Sequence, residues 1–210
     1  MRILMFFICM FFSIVTFAQA NYIFPEFVSG EVYYKESATV AAVNYNLFLS
    51  DILAIDGKKK KRLADVDRIE YVSADTKRFV PLNDNTFGEI LINGGLTLAV
   101  KYSGNIVMTN ENGKSITKTS LNKLLDSGSP LPEGVMITVD STYYFVKQKN
   151  TQKMFYLPGT NVAKASHVGI IKLFAKHKTE INAFIESNKT DFSSFESLKK
   201  LIDFCEQYTD

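Results

Sequence analysis

Between residues 30 and 157 apolar side chains recur at every second position. Val43, Tyr45 and Leu47 alternate with Asn44 and Asn46. Leu96, Leu98, Val100 and Tyr102 alternate with Thr97, Ala99 and Lys101. Val135, Ile137 and Val139 alternate with Met136 and Thr138. Successive side chains of a strand point to opposite faces, so this period predicts strands with one packed face and one wetter face. Turn signals separate the runs: Asp56-Gly57, Asn93-Gly94-Gly95, Ser103-Gly104-Asn105 and Asn112-Gly113. Asn and Gly reach the positive φ that tight hairpins require. Short strands with no helix between most of them predict an antiparallel β-meander, an open sheet or half-barrel, and not βαβ units. One short helix is expected near residues 121–125, closed by Gly128 and Pro130. Ser127-Gly128-Ser129-Pro130-Leu131-Pro132 reads as the main internal loop.

After Pro158-Gly159 the period lengthens. Val168, Ile171 and Phe174 fit one helix face. Ile181, Phe184 and Ile185 fit a second, and Phe195, Leu198, Leu201, Ile202 and Cys205 a third. Ser193 with Glu196 reads as a capping box opening the last helix, each side chain satisfying the other's free backbone N–H. An amphipathic helix needs a surface for its apolar stripe, and the sheet face supplies one. The expected class is therefore α+β, with residues 21–160 β-rich and 161–210 forming C-terminal helices on the same domain.

The first twenty residues stand apart. Arg2 precedes an apolar run from Ile3 to Phe17, and Ala18-Gln19-Ala20 has the small-x-small pattern of a cleavage site. Residues 1–20 read as a secretory signal peptide cut before Asn21. The run is about fifteen residues, short of the ~20 that span a bilayer. No later segment is long and apolar enough to cross. Cys9 has no lipobox before it. Cleavage removes Arg2 and no acid, leaving 23 Lys and Arg against 22 Asp and Glu, a net charge of +1. Nucleic-acid binding needs a concentrated basic surface, and this balance argues against it. Cys205 remains as the only cysteine, so the fold rests on its core and not on an internal disulfide. A chain of 190 residues (210 less the leader) can do this, since it buries roughly 70% of its unfolded surface.

The chemical inventory is thin. His167 and His177 are the only histidines. Ser166 and His167 are neighbours on a helix and point in different directions, and no G-x-S-x-G elbow occurs. One cysteine and two histidines do not make a zinc site. Asn83-Asp84-Asn85-Thr86-Phe87-Gly88 lacks the closing acid of a calcium loop and reads as a polar turn. Gly113-Lys114-Ser115 lacks the first glycine of a phosphate loop, which would fall at Met108. Cys205 on an apolar helix face reads as a small core hydrophobe. No cofactor and no catalytic residue are expected.

Two polar features remain as candidate partner contacts. Lys58, Lys59, Lys60, Lys61 and Arg62 follow Asp56-Gly57 and read as a hairpin tip or its far strand. Such a run can meet an anionic partner, or keep a sheet edge from pairing with other chains. Tyr33-Tyr34 and Tyr143-Tyr144-Phe145 place rings on both faces of their strands, so Tyr33 and Tyr143 are candidate contacts for a sugar or a protein unless the helices cover them.

Ala18-Gln19-Ala20, an early strand pair leading into Val43-Asn44-Tyr45-Asn46, and Arg78-Phe79-Val80-Pro81 form one set of landmarks. A tail running from Leu173-Phe174 through Ile181 and Asp191-Phe192 to the last helix completes it. This layout resembles small secreted proteins of unknown function from Bacteroidota. The resemblance implies a Gram-negative envelope or extracellular setting and carries no activity. In that setting Asp140-Ser141-Thr142 is similar to the short acceptor pattern for O-glycosylation, with a turn between two strands as the competing explanation.

The expected function is a secreted, periplasmic, non-enzymatic interaction protein whose sheet presents a face or edge to an envelope protein or a glycan. The alternative is a carrier of a small apolar ligand, with a barrel-like cavity lined by Tyr45, Leu98, Val100 and Ile137. An enzyme would have to work with Asp, Glu, Tyr or Ser and little help from histidine. An outer-membrane barrel is disfavoured because the chain ends in amphipathic helices and not in a membrane strand.

Overall fold

The computed structural model describes residues 21–34, 37–82, 84–108, 135–147 and 162–209. The leader, the short helix near 121–125, the loop at 127–132 and the turns at Asn112-Gly113 and Pro158-Gly159 lie outside the described residues. Among the described residues ten strands form one antiparallel sheet. They are β1 (Val28–Tyr34), β2 (Ala38–Asn46), β3 (Asp51–Asp56), β4 (Lys59–Arg62), β5 (Ile69–Ala74), β6 (Lys77–Pro81), β7 (Phe87–Ile92), β8 (Leu96–Met108), β9 (Val135–Lys147) and β10 (Val162–Lys164). Three α-helices follow among the described residues: α1 (His167–Leu173), α2 (Lys178–Asn188) and α3 (Phe195–Cys205). The α+β reading and the antiparallel meander are what the structure shows.

The meander comes in two runs. The spatial order is β10-β9-β8-β7-β6-β5-β1-β2-β3-β4. After β4 the chain passes through a 3-10 turn at Val66–Arg68 and returns so that β5 pairs with β1, Val32 facing Val72 and Tyr33 facing Tyr71. The sheet then curls. Val32, Val43, Tyr45, Ile52, Ile69, Val72, Phe79 and Phe87 form one buried cluster on its inner face. A second inner cluster joins Leu96, Leu98 and Phe145 to Ile170, Phe174, Ile181, Ile185, Leu198, Leu201, Ile202 and Cys205 of the helical tail. Tyr45 sits in the first cluster and Leu98 in the second, while Ile137 lies on the far part of the β8–β9 ribbon.

Six contacts hold the curl near the β2–β3 turn. Gly104 N–H donates to Leu47 O (2.8 Å) and Phe87 N–H donates to Ser50 O (2.9 Å). Ser50 Oγ donates to Tyr102 O at 2.8 Å. The Tyr45 hydroxyl lies 3.0 Å from Phe87 O and 3.1 Å from Tyr102 O, and accepts from Tyr102 N–H at 3.2 Å. Here Ser103-Gly104-Asn105 departs from expectation. It is not a hairpin but the middle of β8, paired to Val139 and its neighbours on β9. Gly104 is needed for close approach, since a Cβ there would lie 3.2 Å from Leu47 Cβ and 3.3 Å from the Phe48 ring.

Two other turns follow their signals. Gly57 takes φ +61° between β3 and β4. Asn93-Gly94-Gly95 joins β7 to β8. Asn44 and Asn46 are not wet, however: they are 0% and 3% exposed. The chain ahead of β1 runs back along β2, with Tyr22 bridged to Asn46. The Asn44 carboxamide fills the gap between them. Its Nδ2 donates to Phe24 O and Glu26 O, and its Oδ1 accepts from Phe24 N–H. A buried backbone group needs a partner, and here a side chain provides three.

The helices seat as expected for α2 and α3, with Ile181 and Ile185 buried on one and Leu198, Leu201, Ile202 and Cys205 on the other. The face of α1 differs. Gly169, Ile170 and the following Phe174 are buried, Ile171 is half-buried and Val168 is 79% exposed. Ser166 caps α1, and its helix turns Gly169 against the Lys164 carbonyl, where no side chain fits; that contact sets the phase. The cap of α3 also moves. Ser194, not Ser193, is the N-cap and accepts from Ser197 N–H, while Ser193 Oγ donates to Asp191. Glu196 is therefore at the second helical position, too early to close a box.

Two substitutions test this frame. Tyr45→Phe should lower unfolding free energy by about 1–3 kcal/mol in urea titrations, because it strips partners from buried backbone groups of β7 and β8 without opening a cavity. Ser194→Ala should cost about 1 kcal/mol and Ser193→Ala clearly less, in the same assay. Equal losses for the two serines would overturn the cap assignment.

Candidate interaction surface

The cation run forms the end of the Asp56-Gly57 hairpin and all of β4, the exposed edge of the sheet. Alternation splits it between two faces. Lys61 pairs with Asp56 at 2.6 Å, both well exposed, a geometry worth little in water. Lys60 Nζ stands 5.0 Å over the Tyr22 ring and 5.5 Å over Phe27. Arg62 Nε donates to Asp51 Oδ2, and Asp51 is 2% exposed. Lys58 and Lys59 make no ion pair among the described residues. So the run guards a strand edge, anchors it to the N-terminal strap through Lys60, and covers a buried carboxylate through Arg62.

Tyr33 and Tyr143 end up on opposite faces. Tyr143 lies on the inner face and packs against the helical cluster, so the helices cover it. Tyr33 lies on the outer face and stacks on Tyr71, directly across the β1–β5 pair, with ring centroids 4.2 Å apart and planes 14° apart. Its hydroxyl donates to Glu31, and that hydrogen bond holds its pKa above the ordinary tyrosine range. The Arg78 guanidinium lies 5.8 Å from the Tyr71 ring. Further along the same face Lys101 Nζ lies 5.4 Å over Tyr144 and 2.8 Å from Asp84 Oδ2. Between these two ring–cation pairs runs a third apolar cluster of Val80, Leu82, Ala99 and Val146, joined by Tyr71, Ile90 and Tyr144. Sequence reasoning named Tyr33 but missed Tyr71, Arg78, Lys101 and Tyr144. Only strand pairing puts them together, and the β5-to-β1 return is not marked by any local motif.

Asp140-Ser141-Thr142 is not a turn. It lies within β9, facing Ser103, Tyr102 and Lys101 of β8, with Asn105 Nδ2 donating to Asp140 at 2.5 Å. The ladder continues unbroken through it, which a turn would interrupt.

The remaining reactive groups have structural partners. Ser166 caps α1, and His167 Nε2 lies 2.6 Å from Asn182 Oδ1. His177 stacks on Tyr208, centroids 4.2 Å apart. Cys205 is fully exposed to core and not to solvent, and burial pushes its thiol up to about 12. On the inner face Glu89, 8% exposed, accepts from Lys77 Nζ at 2.6 Å and from the Tyr102 hydroxyl at 2.9 Å. This trio bridges the two inner clusters, and no sequence motif announced it. Among the described residues no three His, Cys, Asp or Glu side chains converge on a metal position.

No family model matches the chain, and neither does any curated protein or solved structure.

Asp51 supplies a pH test. Its burial raises its pKa, and the bond to Arg62 only partly opposes this. A carboxyl whose folded pKa is raised contributes stability below its unfolded pKa, and loses it as pH rises through the folded value. Thermal midpoints of the protein and of Asp51→Asn, taken from about pH 3 to 7, should therefore show the wild type losing ground to the variant as pH rises. A gap that widens in favour of the wild type would mean that Arg62 outweighs burial.

Proposed function

We propose that the protein is a secreted, periplasmic, non-enzymatic binding protein, exported by the leader 1–20, that engages an envelope protein or glycan through the outer face of its sheet. One observation carries the reading. Two tyrosine–cation pairs, Tyr71 with Arg78 and Tyr144 with Lys101, rim a buried apolar cluster on a face that the C-terminal helices do not use, with Arg78 exposed and the two rings half-buried. Tyrosine and arginine are enriched where surfaces bind, because a ring and a planar cation give large contact area with directional donors. The guarded β4 edge fits a face-on partner, since it resists strand addition.

The test is native mass spectrometry of the protein purified gently from its own envelope, followed by binding titrations with whatever co-purifies. Arg78→Ala and Tyr144→Ala should each weaken that complex by about tenfold or more, Arg78→Ala with an unchanged thermal midpoint. A complex that tolerates both substitutions would remove this face from the function.

A further inference from the structure

An open cleft of about 490 Å³ lies beside the base of the β3–β4 hairpin, independent of the outer face. That volume falls within the range of small-molecule sites. Arg62, Asp65, Asp67 and Asn85 line it, with Leu63 and Val66 as its apolar wall and Asp51 beneath. We propose that this cleft binds a small zwitterion, an aliphatic α-amino acid or dipeptide, with Arg62 on its carboxylate and Asp65 and Asp67 on its ammonium.

The geometry of Arg62 comes first. Its side chain is 59% exposed, yet its Nε is tied to a carboxylate that is almost wholly buried. That bond orients the guanidinium plane. Its terminal nitrogens meet no acceptor among the described residues. A planar guanidinium offers two parallel N–H donors, the arrangement that grips a carboxylate in bidentate fashion. Since Asp51 offsets the charge of Arg62, the remaining charge of the cleft is that of Asp65 and Asp67, both exposed and unpaired among the described residues. A simple anion would be repelled by those carboxylates. A metal ion lacks three converging ligands here. A zwitterion satisfies both ends at once. The Leu63 and Val66 wall, half-buried against the first inner cluster, suits an aliphatic side chain. Asp65 and Asn85 hold left-handed backbone at φ 52° and 55°, which fixes where their side chains leave the chain.

The experiment is titration calorimetry of the purified protein with L-leucine and L-leucyl-L-leucine. N-acetyl-leucine, which lacks the ammonium, and isoamylamine, which lacks the carboxylate, serve as probes of each end. At least one zwitterion should bind saturably, and both single-charge analogues should bind about tenfold more weakly or worse. Arg62→Gln should abolish binding, but it also uncovers Asp51 and so can disturb folding. Asp67→Asn keeps the test clean: it should weaken zwitterion binding while leaving the thermal midpoint unchanged. Absence of saturable heat with both zwitterions, equal binding of either single-charge analogue, or full affinity in Asp67→Asn would each overturn the proposal.

Discussion

The Tyr45 hydroxyl is the point on which the rest of the curl depends. Five strand-to-strand steps separate β2 from β8 along the sheet, yet Tyr45 on β2 bonds the backbone of both β7 and β8. A flat sheet of ten strands could not cover its inner face with three short helices. Curling lets the sheet cover part of that face with itself, and twist makes such curling natural. The ring of Tyr45 stacks on Phe79 at 5.4 Å and meets Tyr102 edge-on at 6.1 Å, so one residue both fills the inner core and pins its wall. The helices then need to close only the other end, over Leu96, Leu98 and Phe145.

The polar groups inside follow from the same constraint. Curling brings backbone at the β2–β3 turn against β7 and β8 without a regular ladder, so individual donors must be met one by one. Ser50 and Tyr45 do this, as Asn44 does for the N-terminal strap. Glu89 with Lys77 and Tyr102 does it between the two apolar clusters, where a lone carboxylate would be costly and a fully bonded one is tolerated. Satisfying these groups sets the register of the seam, because each bond forms at one alignment only.

What could be read from the sequence divides along the same line. Period two in Leu96 to Tyr102 and a longer period in Phe195 to Cys205 are local signals, and both elements appear where they were expected. Asn44 looked like the wet face of a strand because alternation says nothing about what crosses that face, and the N-terminal strap does. Gly104 looked like a turn because glycine serves both turns and close approach, and only the partner strand distinguishes them. Val168 was placed on the wrong side of α1 because three apolar residues in seven leave the phase open; Gly169 against Lys164 decides it. Of the candidate contacts, Tyr33 and the Lys58 to Arg62 run were visible as residues, but Tyr71, Arg78 and Asp51 became their neighbours only through pairing.

The distribution of used and unused groups bears on function more than any single motif. Ser166 is spent on a helix cap, His167 on Asn182, His177 on a ring stack and Cys205 on the core. What is exposed is of another kind: Arg78 over the Tyr71 ring, Arg62 held by its Nε with a free edge, and carboxylates beside it. The binding proposed above rests on these oriented cations and rings.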